Sequence, residues 1–203
     1  MSYKLYLASA SPRRREILDM LGFEYELLLP SVDEDSDITD PAALVRELSS
    51  RKAQAAMELL CDEDKKNALI LGADTVVYSG GKILGKPRDK ADAREMLASL
   101  SGTTHEVYSG VSLVRFDGVS SESECTTVHF GAMTDAEIDA YVASGEPMDK
   151  AGAYAIQGLS SMWIDGIEGC NYNVIGLPVR RLYKMLCDLG IDPISLRRGA
   201  EIG

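Results

Sequence analysis

Three consecutive guanidiniums, Arg13-Arg14-Arg15, follow Ser9-Ala-Ser-Pro12 where a short apolar run, Tyr3 to Ala8, gives way to a helix-forming stretch ending at Leu21. A strand running into a helix start favours anions. The first helical N–H groups have no partner within the helix and the helix dipole adds partial positive charge, so hydroxyls and guanidiniums placed there reinforce a preference for phosphate. Pro12 suits the first turn, where its missing N–H would have bonded nothing. Ile17, Leu18 and Leu21 mark the buried stripe of this helix. Arg13 and Arg14 lie four residues before the first two of these, while Arg15 shares the opposite face with Asp19. Arginine is disfavoured in a first helical turn. Arg13 and Arg14, with the Ser9 hydroxyl, are therefore the candidates for phosphate binding; the plain alternative is a solvated basic helix start.

Such a cradle calls for a carboxylate able to orient water or hold a metal, and Asp74 is the leading candidate. It falls in Gly72-Ala-Asp-Thr75 between two strand-like apolar runs, Ala68 to Leu71 and Val76 to Tyr78. Burying a carboxylate there costs several kcal/mol unless it is paired or bound to a metal, and the small neighbours let a ligand come close. An aspartate capping a turn is the alternative. Two lysines complete the set. Lys52 falls on the apolar stripe of a helix opened by Asp40-Pro41, which reads Leu44, Val45, Leu48, Ala55 and Leu59. Snorkelling at a cleft edge and pairing with an anion both account for it. Lys86 closes Gly80-Gly-Lys-Ile-Leu-Gly-Lys86, which imitates a phosphate-binding P-loop, but Pro87 stands where a magnesium-holding hydroxyl belongs and the next helix begins only near Lys90 behind Asp89. A P-loop nucleotidase is rejected, and Lys86 stays as a point charge after a short strand.

The elements that must position these groups follow from periodicity. Tyr25 to Pro30 reads as a strand, followed by the acidic loop Val32-Asp-Glu-Asp-Ser-Asp37. Ala91 to Leu100 reads as a helix with Ala93, Met96, Leu97 and Leu100 apolar. Two alternating segments, His105 to Phe116 and Glu122 to Ala132, meet through Asp117-Gly118 as a hairpin, with Ser120 to Glu124 as a polar entry. Thr134-Asp-Ala-Glu137 is a capping box whose helix points Ile138, Tyr141 and Val142 inward. A glycine-rich region beyond Gly145 carries Lys150, Gln157, Asn171 and Asn173. Pro178 then opens a last helix with Val179, Leu182, Leu186 and Leu189 on one face and Gly190 as its stop. Interleaved helices and strands without a strict βαβ period predict a mixed α/β sheet with a cleft.

Composition narrows the class of function. With 203 residues the chain can bury its own core as one domain, split into two lobes around a cleft. Lysine and arginine total 21 against 32 acidic residues, a net charge of −11, which argues against a broad nucleic-acid surface and suits a small anionic ligand accompanied by a divalent cation. Cys61, Cys125, Cys170 and Cys187 form no C-x-x-C pair and only two histidines are present, which excludes the usual zinc spacings. Reduced thiols, an apolar N-terminal run too short for a secretory signal and the lack of a bilayer-length apolar stretch predict a soluble cytoplasmic protein without a membrane partner.

Seven segments, in order along nearly the whole chain, resemble the Maf family of nucleoside triphosphate pyrophosphatases, also described as septum formation inhibitors. They are LASASPRRREIL at 7–18, VDE at 32–34, GADTVV at 72–77, GKP at 85–87, SGTTHEVYSGV at 101–111, GEPMDKAGAYAIQG at 145–158 and NVIGLP at 173–178. The resemblance implies one Maf-like domain over 1–203, an elongated mixed sheet with flanking helices in two lobes around a central cleft, and a homodimer. It also implies hydrolysis of a nucleoside triphosphate to the monophosphate and pyrophosphate with a divalent cation, Mg²⁺ or Mn²⁺. Asp74 takes the general-base role on that basis, Glu34 joins it as a metal ligand, and Ser9, Arg13, Arg14, Lys52 and Lys86 surround the phosphates.

Arg13, Thr75 and Gln157 stand at the positions where Maf subgroups differ, and the combination looks like the branch acting on dTTP and UTP. A glutamine suits that choice, since its carbonyl can accept from the pyrimidine N3–H while its NH₂ donates to O4. Tyr172, Ser109 and Ser160-Ser161 depart from the common pattern and are expected at the rim of the cleft, where they would alter base tolerance. Two other readings use the same pocket: cleavage of 7-methyl-GTP, and a nucleotide-binding regulator of cell division. Binding alone gives no reason to set Asp74 between apolar strands beside lysines, which favours the enzyme.

Overall fold

The computed structural model describes residues 3–199, so the outer ends of the expected 1–203 domain, 1–2 and 200–203, lie outside the described residues. Seven strands form one mixed sheet in the order β2-β1-β3-β5-β6-β7, with β4 paired to β3 off that path. β1 (Lys4–Leu7) is parallel to β2 (Tyr25–Leu27) and to the first part of β3 (Ala68–Ser79). β5 (Thr104–Arg115), β6 (Gly118–Phe130) and β7 (Ile164–Glu168) follow antiparallel, and β4 (Lys82–Leu84) folds back on the last residues of β3. The long strands β3, β5 and β6 make the sheet elongated, running roughly 40 Å at about 3.3 Å per residue.

Side-chain alternation sorts the helices onto the two faces. Odd-numbered Leu69, Leu71 and Ala73 pack with α1 (Pro12–Leu21) and α7 (Val179–Asp188). Even-numbered Ile70 and Val76 pack on the other face against α2 (Pro41–Met57). Further along the strands, Val77, Val107 and Val128 meet α4 (Lys90–Leu100) and α5 (Asp135–Ala143) in a separate core. The long strands thus carry two lobes. Between them β3 has a forked edge: Ala68–Leu71 pairs with β1 and Val77–Ser79 with β4, whereas 72–76 has no strand on that side among the described residues.

Several elements differ from the sequence reading. β3 is one strand, not two runs around a turn, because β5 pairs with it without a break from Ile70 opposite Val114 to Tyr78 opposite Glu106. β6 starts at Gly118 opposite Arg115, so the hairpin turns through Phe116-Asp117, one residue earlier than the expected Asp117-Gly118, and Ser120 to Glu124 are strand residues. Their polarity suits an edge that β7 covers only from Thr127 onward. β2 stops at Leu27. The α2 stripe runs through Leu44, Val45, Leu48, Ser49, Ala53, Ala56 and Met57, while Ala55 is only partly buried and Leu59 is exposed, since a helical period from Leu48 leads to 52 and 56. β7, α6 (Asn171–Ile175) and three 3₁₀ turns occupy the glycine-rich region that the sequence left unassigned; α3 (Asp62–Lys65) is a single turn. The Asp40 cap, the Asp89 cap and the Thr134–Glu137 capping box are all formed. All four cysteines are free thiols, and no helix of the described residues is long and apolar enough to cross a membrane.

Candidate active site

Two glycines let α2 lie directly on the sheet. A Cβ at Gly72 would sit 2.2 Å from the Ser49 carbonyl oxygen, and one at Gly110 would sit 2.0 Å from that of Val45. Gly110 is the β5 partner of Asp74. Two residues beyond Gly72 on the same face, Asp74 meets Lys52 of α2, whose ammonium donates to Asp74 Oδ1 at 2.7 Å and also pairs with Glu34 Oε1 at 2.9 Å. The cost of burying Asp74 is thereby offset by an opposite charge. Burial works to raise the Glu34 carboxyl, but the Lys52 hydrogen bond and charge, with Lys86 and Arg14 behind them, hold it below its ordinary value. Lys52 is an ion-pair partner in the cleft, not a snorkelling lysine.

Thr75 points to the opposite face and meets α1. Arg14 donates through Nη2 to Thr75 Oγ1 (3.2 Å), through Nη1 to Ser9 Oγ (2.9 Å) and through Nε to the Gly176 carbonyl (2.9 Å). Burial works against the Arg14 charge and Asp74 supports it. Ser9 Oγ also accepts from the Ser11 N–H at the start of α1. Behind Thr75 lies a polar chain: Thr75 and Ser109 hydroxyls are 2.8 Å apart, and Ser109 donates to the Asn173 carbonyl. Ser109 is wholly buried, as is Ser160. Neither lies on the cleft rim where the sequence placed it; the reason is that both hydroxyls find backbone carbonyls in the interior. Tyr172 packs partly against the core beside α1.

Arg13 reaches across the cleft. Its Nη1 pairs with Asp149 Oδ2 at 3.2 Å, and Asp149 Oδ1 is held at 2.7 Å by Lys150. Burial works to raise the Asp149 carboxyl, while Lys150 and Arg13 bring it below its ordinary value. Lys150 stands out in the sequence only as a charged residue of the glycine-rich region, and Asp149 does not stand out at all. Arg13 and Asp149 are 136 positions apart, and no local spacing marks such a pair.

One cleft of about 850 Å³ is lined by Ser9, Arg13, Arg14, Glu34, Lys52, Asp74, Thr75, Lys86 and Gln157. These nine come from six separate segments, and the fork in β3 opens the sheet where they converge. Lys86 and Gln157 are both exposed to the cleft. Apolar side chains, including Val107, Tyr154, Ile156 and Val174, complete the lining, so charged and apolar groups share one hollow.

Comparison with known proteins agrees with this architecture. The family model described as Maf-like protein matches residues 4–189, from the first strand through the last helix. A dTTP/UTP pyrophosphatase of Bacillus anthracis is 45% identical over 190 residues, covering 93% of this chain and 97% of the relative. Proteins of the same name from Bacillus cereus (strain AH820), 44% identical over 190 residues (93% and 97%), and Clostridium novyi (strain NT), 42% identical over 193 residues (93% and 99%), align as fully. A match of that extent, over a sheet, cleft and charge constellation read independently from the residues, means that the chain belongs to the Maf-like protein family.

Proposed function

We propose that the chain hydrolyses dTTP and UTP to the nucleoside monophosphate and pyrophosphate. The observation that carries this is the convergence on one cleft of five cations (Arg13, Arg14, Lys52, Lys86 and Lys150), three carboxylates (Glu34, Asp74 and Asp149) and the Gln157 amide, which has no side-chain partner among the described residues. In the proposed reaction water attacks the α-phosphorus, the bond to the α,β-bridging oxygen breaks, and Asp74 takes the proton of the attacking water. Negative charge grows on the departing pyrophosphate, where fixed cations stabilise most. Arg14 is pre-set by three hydrogen bonds on Ser9, Thr75 and Gly176, and with Arg13, Lys52, Lys86 and the Ser9 hydroxyl it forms the cradle. Thr75 bears on selectivity by holding Arg14, since its hydroxyl is already engaged there and with Ser109.

The donor set suits a divalent cation. Among the described residues no cluster of three or more metal-ligating side chains is present, but Glu34 and Asp74 converge on one ammonium, and Mg²⁺ characteristically takes one or two carboxylates plus substrate phosphates. These two residues would hold Mg²⁺ or Mn²⁺, which supplies charge neutralisation on the triphosphate. Gln157, exposed at the cleft and without a side-chain partner among the described residues, is the reader of the pyrimidine edge. A homodimer working in the cytoplasm is part of the same reading and rests on family resemblance. Initial rates of pyrophosphate release from dTTP, UTP, CTP and 7-methyl-GTP with Mg²⁺ or Mn²⁺ test it. Preference for dTTP and UTP is expected; preference for the purine, or stepwise release of single phosphates, would overturn it.

A further inference from the structure

We propose that Ser160, together with Glu146, is a positioning residue for nucleobase selection, bracing the loop whose apex carries Gln157; the inference rests on the pyrimidine reading above. The Ser160 hydroxyl donates to the Ala155 carbonyl at 2.6 Å and accepts from the Ala155 N–H at 3.0 Å, with the Tyr141 hydroxyl 3.1 Å away. A serine hydroxyl has one proton and two lone pairs, so its capacity is filled. Ala155 and Ser160 are both buried while Gln157, Gly158 and Leu159 between them are exposed. The arrangement is a short exposed loop closed by a buried clamp.

Glu146 supports the loop from beneath. Its carboxylate accepts the Leu159 N–H at 3.2 and 3.3 Å and lies 3.2 Å from the Tyr141 hydroxyl, which therefore shares one proton between Glu146 and Ser160. Gly158 makes this possible: its φ is +91°, and a Cβ there would stand 2.6 Å from Glu146 Oε1. The Gln157 side chain has no hydrogen-bond partner among the described residues, so its placement is set by the backbone under it. A paired donor and acceptor contact to a base edge needs that placement to hold within a fraction of an ångström. Ser160→Ala would leave both polar groups of Ala155 unpaired in a buried site and loosen the loop.

The test compares Ser160→Ala with wild type for kcat and KM on UTP and CTP, and for inhibition by inorganic tripolyphosphate, which probes the phosphate side alone. The expected result is about a tenfold drop in the UTP-over-CTP preference, through the KM for UTP, with tripolyphosphate inhibition unchanged within about twofold. Glu146→Ala should act in the same direction by about threefold, and serves should Ser160→Ala fail to fold. A lower melting temperature with the wild-type preference, or equal weakening of UTP and tripolyphosphate, would overturn the proposal. The pyrimidine reading is judged separately by Gln157→Ala: retention of the wild-type preference there would sink it. Hydrogen exchange in nucleotide-free protein then still decides the brace. Ser160→Ala should speed exchange of the Ala155 and Leu159 amides about tenfold relative to Phe130, and unchanged exchange would refute it.

Discussion

Replacing Gly72 with alanine perturbs the reacting groups without touching any of them. The added methyl would lie 2.2 Å from the Ser49 carbonyl oxygen and 2.9 Å from Ala53 Cβ, where ordinary contact begins at 3.4 Å. Neither neighbour is a flexible side chain, so relief requires the α2 backbone to back away by about 1.2 Å, the difference between 3.4 and 2.2 Å. Lys52 lies one turn beyond Ser49 on the same helix and moves with it, stretching its 2.7 Å contact to Asp74 toward 4 Å and drawing it from Glu34. Overpacking of this kind costs roughly 1–3 kcal/mol of stability, which a domain of this size survives. A displacement near 1 Å in a reacting constellation costs about 100-fold in rate. The assay is kcat for pyrophosphate release from UTP, measured well below the melting temperature of the variant. Lys52→Ala should cost much less in the Gly72→Ala background than in wild type, because the interaction it removes is already broken. A folded Gly72→Ala protein with kcat within about threefold of wild type would refute the argument that helix approach sets the site.

Asp74→Asn retains the shape of the side chain and removes the carboxylate proposed as the base; kcat should fall by about 10²–10⁴ with the fold intact by circular dichroism, and near-normal turnover would remove Asp74 from the mechanism. Asp149→Asn takes a negative charge from beside Arg13 and Lys150 in the cleft. KM for the triphosphate should fall about threefold with little change in stability, as expected for a half-exposed pair, whereas a raised KM would mean that Asp149 presents Arg13 to the substrate. His105 is buried in β5 with Nε2 2.6 Å from the Tyr154 hydroxyl, and burial pushes its imidazole down to about 4 from 6.5. Between those values the unfolded chain binds a proton that the folded chain does not, so stability is lost as pH falls from 6.5, by up to about 3 kcal/mol near pH 4. Urea unfolding at pH 7 and pH 4 should show this loss in wild type and a smaller one in His105→Phe; equal losses would refute it.

Local chemistry made much of the site legible. The cap residues, the hairpin and the alternation of β5 and β6 are decided by neighbours a few positions apart, and sequence reasoning found them. The cation at Lys52 was visible because a charged residue interrupts an apolar helical stripe. In the sequence Gly72 reads as one of the small neighbours that let a ligand approach Asp74, but here it is required by a helix from another part of the chain, and no spacing within 68–79 reports what packs above it. Asp149 was missed for the same reason, since its partner Arg13 is remote in sequence. Ser109 and Ser160 are expected at the cleft rim because they depart from the family pattern, yet each is buried against a backbone carbonyl it satisfies, a fate that depends wholly on tertiary contacts.

The placement of Asp74 in mid-strand follows from what its neighbours must do. A strand presents successive side chains to opposite faces, so Asp74 addresses α2 and Thr75 addresses α1, and one dipeptide gathers Lys52 and Arg14 from helices that never share a face. An unbroken sheet would keep those two sides apart. Because β1 pairs with β3 only as far as Leu71 and β4 begins to pair only at Val77, the edge between them is open and both faces reach the same hollow. A loop could bring the same residues together, but its backbone would yield to the pull of a triphosphate. Here the strand is locked on its other edge by β5 throughout, so Asp74 and the groups paired with it keep their positions while the ligand adjusts, which is the condition for cations to stabilise a transition state more than the substrate.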